Sequence, residues 1–441
     1  MKYIKRILLL LLALIIIAVL FNYRKLNIIA GYTAKNTASS VFLANRSLEF
    51  TNNTDANFTP INIAKNTINI NEKSSKASVF GLLARKAIYR EGLGSVLVLN
   101  NDDDIDDDYL TPKRNKTPTN LEFPYGNNNH KDTVFASINY TKLTQAIDTM
   151  FSEINQTRAV LVVHKDKIIA EKYDANFNKD SRLLGWSMTK SVMVSVFGAL
   201  QHQGKLNITD KAPIAVWQND NRKEITLNNL LQMSSGLEWE ENYTSISDAT
   251  KMLFLEEDMS KSQVNKPLIA KPNTTWNYSS GTTNLLSGLL RHYFNSHQEY
   301  LDFWYSDVID KIGMHSMTIE TDLSGNFVGS SYGWATARDW SKLGLLYLHN
   351  GNWNGDQLFD ENWVSYVTKP ADAANGEYGA QIWLNAAGKY PNVPKTMYSF
   401  NGHQGQYVFV LPEQDLVIVR MGLTKNADLN KFISGIVEAV K

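Results

Sequence analysis

The chain contains no cysteine. That excludes disulfides, a thiol nucleophile, Cys-ligated zinc, iron–sulfur clusters and cysteine lipidation. It also lacks an excess of either charge: 44 Lys plus Arg face 44 Asp plus Glu, for a formal net charge of zero. A nucleic-acid binder carries a basic surplus, so the balance argues against that class as well. Internal repeats are missing, and one apolar run is the only long one. What remains is the balance of a folded globular chain, 441 residues with 43% hydrophobic and 20% charged. At ~150 residues per domain this length suggests two to three domains and a large core.

The apolar run covers residues 7–21 and follows Lys2, Lys5 and Arg6. At ~1.5 Å per residue it reaches about 22 Å, short of a ~30 Å hydrocarbon core. Two readings fit. It is a signal-peptide core, or a short anchor completed by Ile4 and Tyr23 with Arg24 and Lys25 snorkelling. The small residues of a cleavage site do not follow it, so residues 1–26 are expected to form an uncleaved signal anchor. The basic flank then keeps residues 1–6 inside and exports the rest, giving an inner-membrane anchor with the main body in the periplasm, or a secreted protein if the signal is cleaved.

Residues 31–130 form a polar extension and linker. Ala77-Ser78-Val79-Phe80-Gly81-Leu82 and Ser95-Val96-Leu97-Val98-Leu99 read as short strands. The acidic run at 102–108 lacks the glycine and distal glutamate of a calcium loop and reads as solvated. Residues 111–130, with three prolines and Asn127-Asn128-Asn129, read as linker. Beyond it Leu143, Ala146, Ile147, Met150, Phe151 and Ile154 recur at helical spacing. Residues 159–163 and 168–173 flank the turn Lys165-Asp166-Lys167 as a hairpin. A helix is expected over 189–203, alternating helices and loops to about 348, strands at 378–384, 406–411 and 416–421, and a closing helix. Strands at both ends with helices between predict an α/β fold, one sheet built from both chain ends around a helical subdomain at about 190–370, within a domain spanning 131–441.

Ser187-Met188-Thr189-Lys190 is the only S-x-x-K. At a helix start, Ser187 and Lys190 share one face, about 5–6 Å apart at Cβ. The helix dipole favours an alkoxide and lowers the lysine pKa, and a desolvated lysine accepts a serine proton. Alone the spacing is weak, because a chain this long shows about one by chance. Tyr278-Ser279-Ser280 precedes another helical run, and Tyr278 is a candidate second base or proton relay. His403-Gln404-Gly405 opens a strong strand. Gly405 allows a ligand to approach its edge, and the Gln406 N–H is placed to complete an oxyanion hole with the Ser187 N–H. Trp186, Trp239 and Trp276 lie near these motifs as candidate pocket walls. His292 and His297 show no metal spacing, and Gly92-Leu93-Gly94 lacks the third glycine of a dinucleotide loop. No cofactor or metal is implied.

The three motifs in this order resemble those of the serine β-lactamase and penicillin-binding superfamily, in its class C-like branch, over about residues 140–441. That family's order is S-x-x-K, Y-x-N, then K-T-G or H-x-G. Leu230-Leu231-Gln232-Met233-Ser234-Ser235-Gly236-Leu237 is similar to its L-L-x-H-x-S-G-L signature, and Gly333-Trp334-Ala335-Thr336-Ala337-Arg338-Asp339 to its G-x-x-x-T-A-R-D segment. Gly185-Trp186 resembles the 6-aminohexanoate-dimer hydrolase-like members, which cleave small linear amides and esters. The resemblance implies a class C-like sheet with an inserted helical subdomain and an acyl-enzyme on Ser187, with Lys190 and Tyr278 as proton carriers. Trp186, Ser280, His403 and Gly405 fall at the substrate. Two departures stand out. Ser280 replaces the family asparagine, and His403 replaces a lysine that would bind a carboxylate. Both favour a small ester or amide over a penicillin or a cell-wall peptide. The rivals are a β-lactamase or D,D-peptidase, and a catalytically silent penicillin-binding-like module.

Overall fold

A computed structural model describes residues 2–99, 109–117, 120–126, 133–424 and 426–441. The acidic run at 102–108 and the three asparagines at 127–129 lie outside the described residues.

The chain opens with α1 (Lys2–Ala38), followed without interruption by a wide helical turn, Ser39–Leu43, and by α2 (Leu48–Asn53). The Ser47 hydroxyl caps α2 by accepting the Phe50 N–H. The expected membrane anchor is not found. Among the described residues no helix is long and apolar enough to cross a membrane. The helix that carries the apolar run leaves residues 7–17 exposed and continues through Arg24, Lys25 and Asn27 into a buried second half. There Ala30, Ala34 and Ala38 are fully buried, and Gly31 leaves room for Leu97, 3.1 Å from where a β-carbon would sit. Small residues four apart let this half of α1 lie close on a sheet.

That sheet is antiparallel, in the order β1 (Ala64–Asn69), β2 (Ser74–Val79), β3 (Leu82–Arg90), β4 (Gly94–Val98). The expected strands near 77–82 and 95–99 are β2 and β4. Phe80 and Gly81, however, have positive φ (53° and 72°) and make a turn, because they reverse the chain into β3.

The main domain starts at α3 (Tyr140–Asp148), capped by Asn139. It is shorter than its apolar spacing predicts. The Thr149 hydroxyl takes the Ala146 carbonyl at 2.6 Å, the helix ends, and Ile154 lies exposed beyond it. β5 (Thr157–His164) and β6 (Lys167–Tyr173) form the predicted hairpin. Its two central residues, Lys165 and Asp166, both have positive φ (48° and 59°), as a type I′ turn needs. The helical insertion follows: β7 (Leu183–Leu184), α4 (Thr189–His202), α5 (Leu227–Leu231), α6 (Asp248–Leu255), α7 (Ser280–Leu289), α8 (His297–Phe303), β8 (Thr318–Ile319), β9 (Gly333–Ala335), α9 (Ala337–Leu348), the small hairpin of β10 (Asn352–Trp353) and β11 (Asp356–Gln357), and α10 (Glu361–Val367). Then come β12 (Trp383–Leu384), β13 (Tyr398–Gly402), β14 (Gln406–Leu411), β15 (Leu416–Gly422) and α11 (Leu429–Val440).

The main sheet has six strands in the order β12-β13-β14-β15-β5-β6, all antiparallel. β15 pairs with β5, so the two ends of the domain meet at its centre as expected. Both central strands are buried on both faces. On one face α3 and α11 pack Leu143, Ile147, Phe432, Ile433 and Ile436 into a core with Val160 and Val162. On the other, Gly344 of α9 lets the helix sit on Val408 and Val417. The expected strand at 378–384 is mostly a tight turn. Gln381 has a φ of 60° and Tyr378 bridges back to Trp383, which leaves only β12 in the sheet.

Candidate active site

Ser187 sits in a tight helical turn, Trp186–Met188, that leads directly into α4. Trp186 is held at a φ of 48°, a strained conformation for a bulky residue, costing on the order of 1–3 kcal/mol. Packing holds it there: Tyr32 of α1 stacks on its ring at 6.2 Å, and His403 meets it edge-on at 5.6 Å. A β-carbon on Gly185 would collide with Trp340, so the turn fits only with glycine there.

Lys190, three residues on, is 1% exposed. Its Nζ lies 3.1 Å from Ser187 Oγ, 3.0 Å from Ser280 Oγ and 2.9 Å from the Ser330 carbonyl. Asn284 on α7 fixes that carbonyl by accepting the Ser330 N–H at 3.1 Å. Burial lowers the Lys190 pKa to about 8, and the nearby Glu241 carboxylate opposes the fall. The ammonium and the free amine are therefore both populated near neutrality.

The Tyr278 ring lies 4.9 Å from Lys190 Nζ. Burial first, and then Glu241, push its phenol far above the usual tyrosine range, so it is held neutral. Ser280, the first residue of α7, accepts from Lys190 and donates to Glu241 Oε1 at 2.5 Å. Glu241 also accepts from the Ser280 N–H, Trp239 Nε1 and Tyr243 OH, at 2.9, 2.5 and 2.6 Å.

The hairpin between β13 and β14 closes the other side. His403 faces Trp186 and Tyr243. Gly405 has a φ of 84°, and a β-carbon there would sit 2.0 Å from the Thr424 carbonyl. The buried Arg420 guanidinium binds the Gly405 carbonyl at 2.6 Å and holds the turn. Gln406 opens β14 opposite Gly402, where a β-carbon would meet the Gly185 carbonyl at 2.1 Å. The strand start therefore abuts the nucleophile turn.

The structure thus gathers Ser187, Lys190, Tyr278, Ser280, His403, Gly405, Gln406 and Trp186 around one site. Trp186, Ser187 and His403 line a cavity of about 450 Å³. Trp239 and Trp276 do not line it: Trp239 binds Glu241, and Trp276 packs among Tyr278, Tyr378 and Trp383. Sequence reasoning missed Glu241 and Tyr243, which belong to no recurring spacing, and it missed the contribution of α1. The two secondary landmarks are scaffolding. The Met233 carbonyl accepts the Asn277 N–H at 2.9 Å, Gly333 donates its N–H to Thr189 at 2.9 Å, and Thr336 caps α9. Among the described residues no group of His, Asp and Glu is arranged to hold a metal ion.

The sequence model of the beta-lactamase family matches residues 147–427, well over half of the chain. The protein belongs to the beta-lactamase family and is a serine hydrolase. Within that family it is similar to the 6-aminohexanoate-dimer hydrolase of Paenarthrobacter ureafaciens, with 22% identity over 305 residues, covering 62% of this chain and 74% of the relative. Its fold is similar to that of a Bacillus anthracis protein described as a 6-aminohexanoate-dimer hydrolase, with a TM-score of 0.57, 19% identity, and 73% and 87% of the two chains covered. A family VIII carboxylesterase gives a TM-score of 0.55 at 14% identity, covering 68% of this chain and 97% of that one.

Proposed function

We propose that the protein cleaves small ester or amide substrates through an acyl-enzyme on Ser187. The observation that carries this reading is a fully buried Lys190, hydrogen-bonded to Ser187 Oγ, with its pKa lowered to about 8. Ser187 Oγ attacks the carbonyl carbon while the neutral Lys190 amine takes its proton. The backbone N–H groups of Ser187 and Gln406 receive the oxyanion. Tyr278, a neutral phenol whose ring lies beside Lys190, relays the proton from Lys190 to the departing oxygen or nitrogen. Water then attacks the acyl carbon as Lys190 takes its proton, and when the bond to Ser187 Oγ breaks that proton returns to Oγ and the acid is released. The names of the similar proteins, an amide hydrolase and a carboxylesterase, support this choice of substrates. So do Ser280 and His403, which remove an amide and a fixed cation that would hold a penicillin or a cell-wall peptide.

The test is labelling by a serine-reactive fluorophosphonate. Ser187→Ala should abolish it with the melting temperature unchanged, and Lys190→Ala should slow it by at least about 10²-fold. Full labelling of another serine would refute the assignment.

A further inference from the structure

The cavity at Ser187 is walled on one side by a part of the chain outside the matched family segment. Ile28, Ile29 and Tyr32 of α1 line it, as does Ile61, together with Leu253 and Phe254 of α6, which packs on α1 with the Phe254 and Tyr32 rings 5.6 Å apart. Ser187 also lines this largely apolar space, next to Trp186, on which Tyr32 stacks. The wall is fixed. One turn beyond Tyr32, Lys35 forms a buried ion pair with Glu320 at 2.5 Å, and Ser39 donates to the same carboxylate at 2.7 Å. A pocket of about 450 Å³ lies in the size range of small-molecule sites, and apolar walls select their ligand by burying methylene groups.

We propose that the substrate carries an apolar chain next to the scissile carbonyl, and that this chain lies against the joint wall of α1 and α6. The inference rests on the serine hydrolase reading and adds the substrate class to it. The N-terminal extension is then part of the binding site.

The experiment uses the full chain and two homologous series, p-nitrophenyl alkanoates from acetyl to decanoyl and alkyl acetates from ethyl to decyl. One series lengthens the acyl side and the other the alcohol side. In the series that matches the cavity, kcat/KM should rise about three- to fourfold per methylene until the space is full. Two variants locate the chain. Ile28→Trp narrows the buried wall, and Ile246→Trp narrows the rim, where Ile246 is 37% exposed and easily replaced. Each should lower the octanoyl-to-acetyl ratio, or its alcohol-side counterpart, by at least tenfold. A flat or falling dependence in both series, with Ser187 still labelled and the acetyl ester still turned over, would overturn this inference and leave the hydrolase reading standing. A rise with chain length that neither variant changes would overturn it too, by placing the chain elsewhere. Loss of both labelling and turnover in the wild type would instead refute the reading of Ser187.

Discussion

Replacing Glu241 with glutamine should move the pH dependence of acylation downwards. The Glu241 carboxylate and the Lys190 amine both bind the Ser280 hydroxyl, through contacts of 2.5 Å and 3.0 Å, so their charges lie within about 5.5 Å. At an effective dielectric of ~20, unit charges at that separation attract by about 3 kcal/mol, or roughly two pH units. The attraction favours the ammonium form, and burial works against it, giving the lysine pKa of about 8. Glutamine keeps the hydrogen bonds. Its oxygen can accept from Trp239 and the Ser280 N–H, and its NH₂ can donate to Ser280 and Tyr243. With the geometry kept and the charge gone, the free amine becomes the dominant form at lower pH. In the wild type, burst acylation by a p-nitrophenyl ester should rise with pH through about 8. In Glu241→Gln the same limb should appear about one to two pH units lower, reaching a similar plateau. A limb that stays at 8, or moves upward, would show that the group titrating in the rate is not Lys190 under the field of Glu241.

At His403, a positioned charge-assisted hydrogen bond contributes about 1.5–3 kcal/mol, ten- to a hundred-fold in kcat/KM. Neutral substrates should therefore outperform matched carboxylates at pH 7.5, and His403→Lys should narrow that gap; an unchanged ratio would assign the carboxylate to Lys25, which lines the same cavity. The Lys35–Glu320 pair is buried on both sides, 7% and 1% exposed. Lys35→Met should cost about 3–5 kcal/mol by urea unfolding, and adding Glu320→Gln should recover much of it, because the expense lies in the uncompensated charge. A double variant no better than the single would refute that account.

Much of the site was legible in the sequence because its spacing is local. Ser187 and Lys190 are one helical turn apart, and the β5–β6 and β14–β15 patterns alternate or run apolar wherever the sheet is buried. Glu241 was invisible because its partners come from separate segments, Trp239 and Tyr243 beside it and Ser280 at the head of another helix. No periodicity marks a carboxylate whose role depends on where α7 begins. The turn at 378–384 misled because aromatic and β-branched residues read as a strand, whereas Gln381 adopts a left-handed backbone that no propensity scale signals. In the opening helix only the apolar run stands out in the sequence, whereas the alanines and the glycine further along it record contact with a sheet that their spacing alone does not announce.

The pairing of β5 with β15 also fixes an order of events during synthesis. Val163 lies opposite Val417, some 250 residues later in the chain. As the polypeptide leaves the ribosome, the β5–β6 hairpin is complete long before the partner for its inner edge exists. That edge is a run of eight residues, all buried in the finished fold, and until β15 arrives it offers unpaired backbone groups to any neighbouring strand. Contacts of such range form slowly, because a long loop must close before they are rewarded. The beginning of β14, which abuts the nucleophile turn, arrives only just ahead of that closure. A chain cut short after residue 400 would retain Ser187, Lys190 and Tyr278 and still have no assembled site.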